Sequence, residues 1–407
     1  MQVRFIAAIG FPLVLAAVCT CSREPVDGSQ SELWVANAPP SGTRCERVTS
    51  GAADSLLDLN EVSRYPCRIA AMPTGITLRP TEDGSRPDPI AVGGYGRDGI
   101  AVDGRGRFFT GARHESAVLV WDSTGRYLRS FGGAGEGPGE FAGKLQSLLI
   151  APGDTLYVRE GIRWHVFDPE QRFVRTFVSE PTWGASAHIT RENRIVITGP
   201  GMAGRPGSAM TILDAEGALL GAVGSPRPGL PRDAIGPRHS AYHAGSVWIA
   251  PAIGSSQGFI IERRNLSGEL LQLIRRETPW LPLEGYEDPE LRMVAPDFKY
   301  LDVDSNGLLW VLVAVKDPRW TPREPGAHPD SGEAERADLR LEVLDPEAPG
   351  ILASLRFDYV PEDDVPPIFP VGSGRNLRYG FQIDSLGQIT YRISRVFLIR
   401  TTDAEGT

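Results

Sequence analysis

The sequence predicts an all-β protein, a closed ring of six four-stranded sheets, from three observations. A short apolar run, a tight polar turn and a second apolar run recur six times: GIAVDGRGRFFTG (99–111), LLIAPGDTLYVRE (148–160), HITRENRIVITG (188–199), AYHAGSVWIAP (241–251), LDVDSNGLLWVLV (301–313) and FQIDSLGQITYRI (381–393). Each pair is followed by a third run ending in an Asp- or Asn-led turn, as in VLVWDSTG (118–125) and TILDAEG (211–217). A fourth run leaves that turn, as in YLRSFGG (127–133) and ALLGAVG (218–224). Four strands per unit and six units are the signature of a six-bladed β-propeller of four-stranded blades.

Aligned on the first turn, the third residue after it forms a column of Phe109, Tyr157, Val196, Trp248, Trp310 and Thr390. Aromatic and β-branched side chains suit a strand there. The column repeats every ~56 residues, a little above the 40 to 50 of common propeller repeats, and long loops account for the excess.

Residues 1–21 read as an export signal. Arg4 supplies a short positive region, and the 14 residues from Phe5 to Val18 are apolar and uncharged, too short to span a bilayer comfortably. The run ends in Val-Cys-Thr-Cys-Ser (18–22), which resembles a bacterial lipoprotein box. Such boxes prefer Gly, Ala or Ser before the lipidated Cys, whereas Val18 precedes Cys19 and Thr20 precedes Cys21. Two readings follow: lipidation at Cys21, or ordinary cleavage and a soluble secreted or periplasmic protein.

Residues 22–87 form an N-terminal extension, and residues 88–407 the propeller. Cys45 and Cys67 are the remaining cysteines, and an isolated pair in an exported chain reads as one disulfide. The last unit ends at Gly406 without a fourth strand, while an orphan run, PIAVGG (89–94), precedes the first unit. A strand at about residues 88–94 is therefore expected to complete the last blade, tying the chain ends together and removing a sheet edge.

The glycine-rich stretch GGAGEGPG (132–139) invites a phosphate-loop reading, which its letters reject. No start gives glycines at positions one, three and six. Gly143-Lys144 is followed by Leu145 rather than Ser or Thr, with Pro138 where the first glycine should stand. No helical pattern follows to hold an anion. The stretch instead carries the chain from the fourth strand of blade one to the first of blade two.

From FGGAGEGPGEF (131–141) through LYV (156–158) to VFDPEQRFVRTF (166–177), the sequence resembles the NHL-type six-bladed propellers, whose exported bacterial members often carry a lipoprotein-like start. The likeness covers residues 88–220. It implies the fold and a binding role more than a reaction, because six-bladed propellers range from protein-binding repeats to lactonases and lyases.

Composition narrows the partners. A net charge of −9 without a Lys/Arg cluster argues against nucleic acid, whose binding rests on basic groups. Membrane association is expected only through the N-terminal anchor.

The turns between first and second strands, and between third and fourth, share one face: DGRG, APGD, DSNG, DSLG, DSTG and DAEG, all tight. The long segments, the glycine loop with residues 225–240, 275–299, 361–379 and the insertion 317–338, fall on the other. That long-loop face is the expected binding surface.

First strands line the axis. Five residues back from each turn stand Ala101, Leu149, His188, Ser240, Asp302 and Gln382. The four polar ones line either a water-filled channel or a ligand site, where a histidine near a carboxylate could act as a base or bind a cation. His239 and His243 sit four residues apart on a strand, about 13 Å, too far to share one zinc. Each reads as a single channel-mouth residue.

Among six-bladed enzymes, the gluconolactonase-like group holds a divalent cation with acidic and amide side chains at the axis. Only Asp302 and Gln382 fit that set, with Asp98 and Asp297 nearby in sequence, so the resemblance does not reach that site. No Gly-x-Ser-x-Gly elbow or catalytic cysteine occurs, and the Asp-Ser-x-Gly turns lack the ligand ladder of a calcium loop. The reading is a non-catalytic binding module for a protein, glycan or small ligand, with no cofactor. Its alternative is a metal-assisted hydrolase or lyase in the channel mouth.

Overall fold

Short apolar runs bounded by Asp- and Gly-containing turns leave strands and no α-helix among the described residues of the computed structural model. It describes residues 31–34, 45, 57–58, 65–80, 88–92, 99–179, 186–199, 208–223, 239–250, 259–276, 297–316, 337–348, 350–357, 364–372 and 375–400. The signal region with Cys19 and Cys21, Asp98, and most of the insertion 317–338 lie outside them.

The N-terminal strands are β1 (Ser31–Trp34), β2 (Leu57–Asp58), β3 (Cys67–Leu78) and β4 (Pro89–Ile90). Blade one holds β5 (Ala101–Val102), β6 (Phe108–Ala112), β7 (Ala117–Trp121) and β8 (Tyr127–Gly132). Blade two holds β9 (Ser147–Ile150), β10 (Leu156–Glu160), β11 (Arg163–Phe167) and β12 (Phe173–Val178). Blade three holds β13 (Ser186–Ile189), β14 (Ile195–Thr198), β15 (Met210–Leu213) and β16 (Leu219–Val223). Blade four holds β17 (His239–His243), β18 (Ser246–Ala250), β19 (Phe259–Asn265) and β20 (Leu270–Arg276). Blade five holds β21 (Asp297–Val303), β22 (Leu309–Lys316), β23 (Ala337–Leu344) and β24 (Ile351–Phe357). Blade six holds β25 (Asp364–Pro370), β26 (Leu377–Ile383) and β27 (Ile389–Arg400), completed by β3. The fold is a six-bladed β-propeller.

The ring is closed by an N-terminal strand, but not by the one expected at residues 88–94. β3 pairs antiparallel with β27 from Cys67↔Arg400 to Leu78↔Tyr391. β4 instead pairs with β6 in blade one. Length decides between them: β3 and β27 are both 12 residues long, whereas β4 has two. Ile69, Ala70, Ala71 and Leu78 of β3 are fully buried, and burying an aliphatic side chain such as Ile69 contributes roughly 1.5–3 kcal/mol. The propeller therefore begins at Cys67, upstream of the boundary expected at residue 88.

Blade six is also read one strand out of frame. The DSLG turn at 384–387 joins β26 to β27, the second and third strands, so it lies on the face opposite the tight first turns. The first strand is β25, within the segment 361–379 expected as a loop. Its prolines, at 366, 367 and 370, disguise it, because proline lowers any strand reading.

Elsewhere the extension thickens the ring. β1 adds parallel to the outer strand β20 of blade four, and β2 adds antiparallel to β3. Cys45 and Cys67 form the expected disulfide, with Cα atoms 5.9 Å apart.

The core lies between blades rather than within them. One apolar cluster joins blades one and two through Phe109, Leu148 and Phe167, and another joins blades four and five through Trp248, Phe259 and Val311. The aromatic column holds in blades one to five, where Phe109, Tyr157, Val196, Trp248 and Trp310 are buried. Thr390 falls on β27 and leaves it.

Turn chemistry explains the tight face. Asp122 Oδ1 accepts the backbone N–H groups of Thr124 (2.9 Å) and Arg126 (3.0 Å), and its Oδ2 accepts from Arg126 Nε (3.0 Å). Asp168 repeats this with Glu170 and Arg172, and Asp304 with Asn306 and Leu308. Each carboxylate satisfies turn donors that strands leave unpaired.

The glycine loop does join blade one to blade two, and Gly132 in it is sterically required. Gly132 has φ +88°, and a Cβ there would stand 2.2 Å from the ring of Phe141. Phe141 is fully buried, its N–H donating to Gly133 O at 2.8 Å.

Candidate functional site

The inner strands surround an axial cavity of about 660 Å³. This lies within the ~300–1,000 Å³ typical of small-molecule sites. Its lining runs onto the tight-turn face at Gly104, Asp154, Arg191, Ala244 and Ser305. Most of the long-loop face lies outside the described residues.

Four of the five expected channel residues line this cavity: His188 on β13, His239 and Ser240 on β17, and Asp302 on β21. All four are buried. Gln382 does not. It stands exposed on β26, paired with Asp364 and Thr390, as the shifted frame of blade six requires. His239 and His243 stand at opposite ends of the continuous strand β17, opposite Ala250 and Ser246.

His188 and Ser240 join blades three and four. His188 Nε2 lies 2.8 Å from Ser240 Oγ, which lies 2.6 Å from Thr198 Oγ1. Thr198 donates to the carbonyl of Ser186 at 3.4 Å. That carbonyl can only accept, and this sets the direction of the whole chain. Thr198 spends its proton on Ser186, so Ser240 must donate to Thr198, and His188 must donate from Nε2 to Ser240. Nδ1 of the neutral ring is then a bare acceptor, and it has no partner among the described residues. Burial pushes the His188 pKa down to about 4, so the ring is neutral at pH 7.

Asp302 is held differently. Arg378, fully buried on β26, brings Nη2 to 2.9 Å from Asp302 Oδ2. Its guanidinium lies 5.0 Å from the ring centroid of Trp310, and Nη1 donates to the carbonyls of Arg375 and Leu377 at 3.0 Å each. Beside them, Tyr300 donates its hydroxyl proton to Ile368 O at 2.6 Å. Burial raises the Tyr300 pKa, so the phenol stays protonated.

Sequence reasoning missed Arg378, although a signal existed. Arg378 pairs with Pro370 as Trp310 pairs with Asp302 and Phe109 with Ala101. It is blade six's member of the aromatic column, hidden by the misread frame.

A divalent cation of the gluconolactonase kind does not fit these residues. With Gln382 elsewhere, Asp302 alone remains of the two candidate ligands, and a guanidinium already neutralises it. Among the described residues no three His, Cys, Asp or Glu side chains gather as a metal-binding set.

No protein-family model matches the chain, and no curated protein matches it. Its fold is similar to that of a solved member of the DUF4221 family from Bacteroides vulgatus, with TM-score 0.52, 9% identity, and coverage of 81% of this chain and 98% of that one. It is also similar to a candidate exported protein from Bacteroides fragilis, with TM-score 0.52, 8% identity, and coverage of 84% and 98%. At such identities the likeness concerns the fold alone. Fold and site together define the class: a six-bladed β-propeller with a partly polar axial cavity.

Proposed function

We propose that this chain is an exported, NHL-like propeller that binds a small ligand in its axial cavity without catalysing a reaction. The observation that carries this reading is the cavity itself, about 660 Å³, with His188, Ser240 and Asp302 in its wall. Each of these polar groups is already engaged in a way that favours holding over reacting. His188 is neutral and hydrogen-bonded to Ser240, and Asp302 is ion-paired with Arg378. The metal-assisted hydrolase or lyase reading loses support for the same reason, because a cation beside Asp302 would meet Arg378. The long-loop face is the surface for a protein or glycan partner, and a net charge of −9 weighs against nucleic acid.

Export rests on the apolar run of Phe5 to Val18 and on the Cys45–Cys67 disulfide, with Cys21 as the lipid-bearing residue of an envelope-anchored form.

The reading is tested by ligand-observed NMR of a mixed fragment library against the purified full chain and against Ala101→Phe and Ala241→Phe variants. Both alanines line the cavity, so a phenyl ring there reduces its volume. Fragments that bind the wild type and lose binding in the folded variants support the cavity. Binding that is unchanged in both variants overturns it.

A further inference from the structure

Most of the buried polar side chains of the cavity wall come from blades three to five. Blades one and two contribute apolar side chains, among them Ala101, Leu148, Leu149 and Ile150. Blades three to five contribute His188, Ser240, Tyr300 and Asp302 beside apolar Ile189, Ala241 and Leu301, while the charged Asp154, Arg191 and Arg375 stand in turns at the rim. A water-filled channel needs no such partition, whereas an occupant with two unlike faces does.

The polar wall favours acceptors and carries little net charge. Tyr300 gives its proton to Ile368 O, with Arg378 against its oxygen, and Ser240 gives its own to Thr198 while accepting from His188, so each oxygen can take a further donor on its second lone pair. Asp302 is a carboxylate, an acceptor-only group with several lone pairs, whose charge Arg378 offsets. His188 Nδ1 is a further acceptor, buried behind the same wall, with no donor among the described residues. Deeper than Arg191 and Arg375 at the rim, an anionic ligand would set its own acceptors against these. A wholly apolar one would offer these acceptors no donor and leave His188 Nδ1 unmet, which is costly in a buried site.

Resting on the cavity-binding reading above, we propose that the occupant is an uncharged small molecule with one apolar face and one edge of hydroxyl donors. Its apolar face would lie along Leu148, Leu149 and Ile150, and its hydroxyls toward Ser240, Tyr300 and Asp302. Small aryl or alkyl glycosides have this chemistry.

The test is isothermal titration of the full chain with three matched probes sharing one aromatic group. These are 4-nitrophenyl β-D-glucoside, anionic 4-nitrophenyl phosphate, and nitrobenzene, which lacks the hydroxyls. The glucoside should bind at least tenfold more tightly than either of the others, and Ala101→Phe or Ala241→Phe should abolish its binding. If the phosphate or nitrobenzene binds as tightly, with binding still lost in the filled variants, the ligand class is wrong and the cavity reading stands. Glucoside binding that survives in both folded variants places it outside the cavity and overturns both. Absence of binding by all three probes overturns the ligand class, leaving the cavity to the fragment test.

Discussion

Arg378 of blade six reaches across the blade boundary to Asp302 of blade five, its Nη2 2.9 Å from Asp302 Oδ2, and neither side chain is open to solvent beyond a few per cent. Buried ion pairs cost much to desolvate, so their value lies in not being broken. Asp302→Ala would leave a guanidinium buried against Trp310 without its counter-charge. Denaturant unfolding should show a loss of about 3–5 kcal/mol. The paired replacement Asp302→Leu with Arg378→Met should recover most of it. A double variant no more stable than the single one would show that the pair itself contributes net stability.

His188 gives the fold a defined pH response. Its folded pKa, about 4, lies below the ordinary imidazole value of 6.5, so the unfolded chain takes up the proton first. Its contribution is fully present above pH 6.5 and is lost as pH falls from 6.5 toward 4. The loss should approach ~3 kcal/mol by linkage. Unfolding free energies of wild type and His188→Gln, measured from pH 7 to pH 4.5, should differ in slope over that window. Parallel curves would mean that His188 titrates alike in the folded and unfolded chain.

The disulfide joins the extension to the first residue of the closing strand. Cys45 and Cys67 are 22 residues apart, a loop whose closure stabilises by roughly 3 kcal/mol in the chain-entropy model. Melting with and without reductant should show a lower Tm in the reduced protein. Cys45→Ser should match the reduced form.

Ring closure by β3 separates two truncations. A chain beginning at residue 64 keeps β3 and should retain a cooperative melt. A chain beginning at residue 80 loses the outer strand of blade six, exposes β27 as an edge, and should aggregate or unfold. Equal stability of the two would return the closing role to the region of residues 88–94.

Gly132→Ala combines a left-handed backbone with a clash against Phe141. It should destabilise by about 1–3 kcal/mol, whereas Gly153→Ala, at φ +80° with no atom within 4 Å, should cost less.

Much of this molecule was legible from residue patterns because propeller blades repeat their turn chemistry. Asp103, Asp122, Asp168 and Asp304 each mark a turn in the chain and perform it in the structure. The same uniformity misled in blade six. Asp384 folds the same turn, with N–H donors from Leu386 and Gln388 at 2.9 Å, but between second and third strands. That single shift placed Gln382 at the axis, hid β25 behind its prolines and concealed Arg378. The closing strand was missed because Pro73 and Gly75 interrupt Cys67–Leu78, while its partner β27 lies more than 300 residues away. Of the candidate site, His188, Ser240 and Asp302 followed from strand spacing, and His239 from rejecting a shared zinc with His243. The hydrogen-bond partner Thr198 on β14 and the ion-pair partner Arg378 on β26 lie on second strands, where spacing along the first strands carries no information.

The most direct test of the central claim is a crystal structure of the full chain soaked with the tightest-binding neutral probe. Ordered density between Leu149 of blade two and Asp302 of blade five, with hydroxyls toward Ser240 and Tyr300, is the predicted result. A probe bound on the outer surface, with the axial cavity holding only solvent, would contradict it.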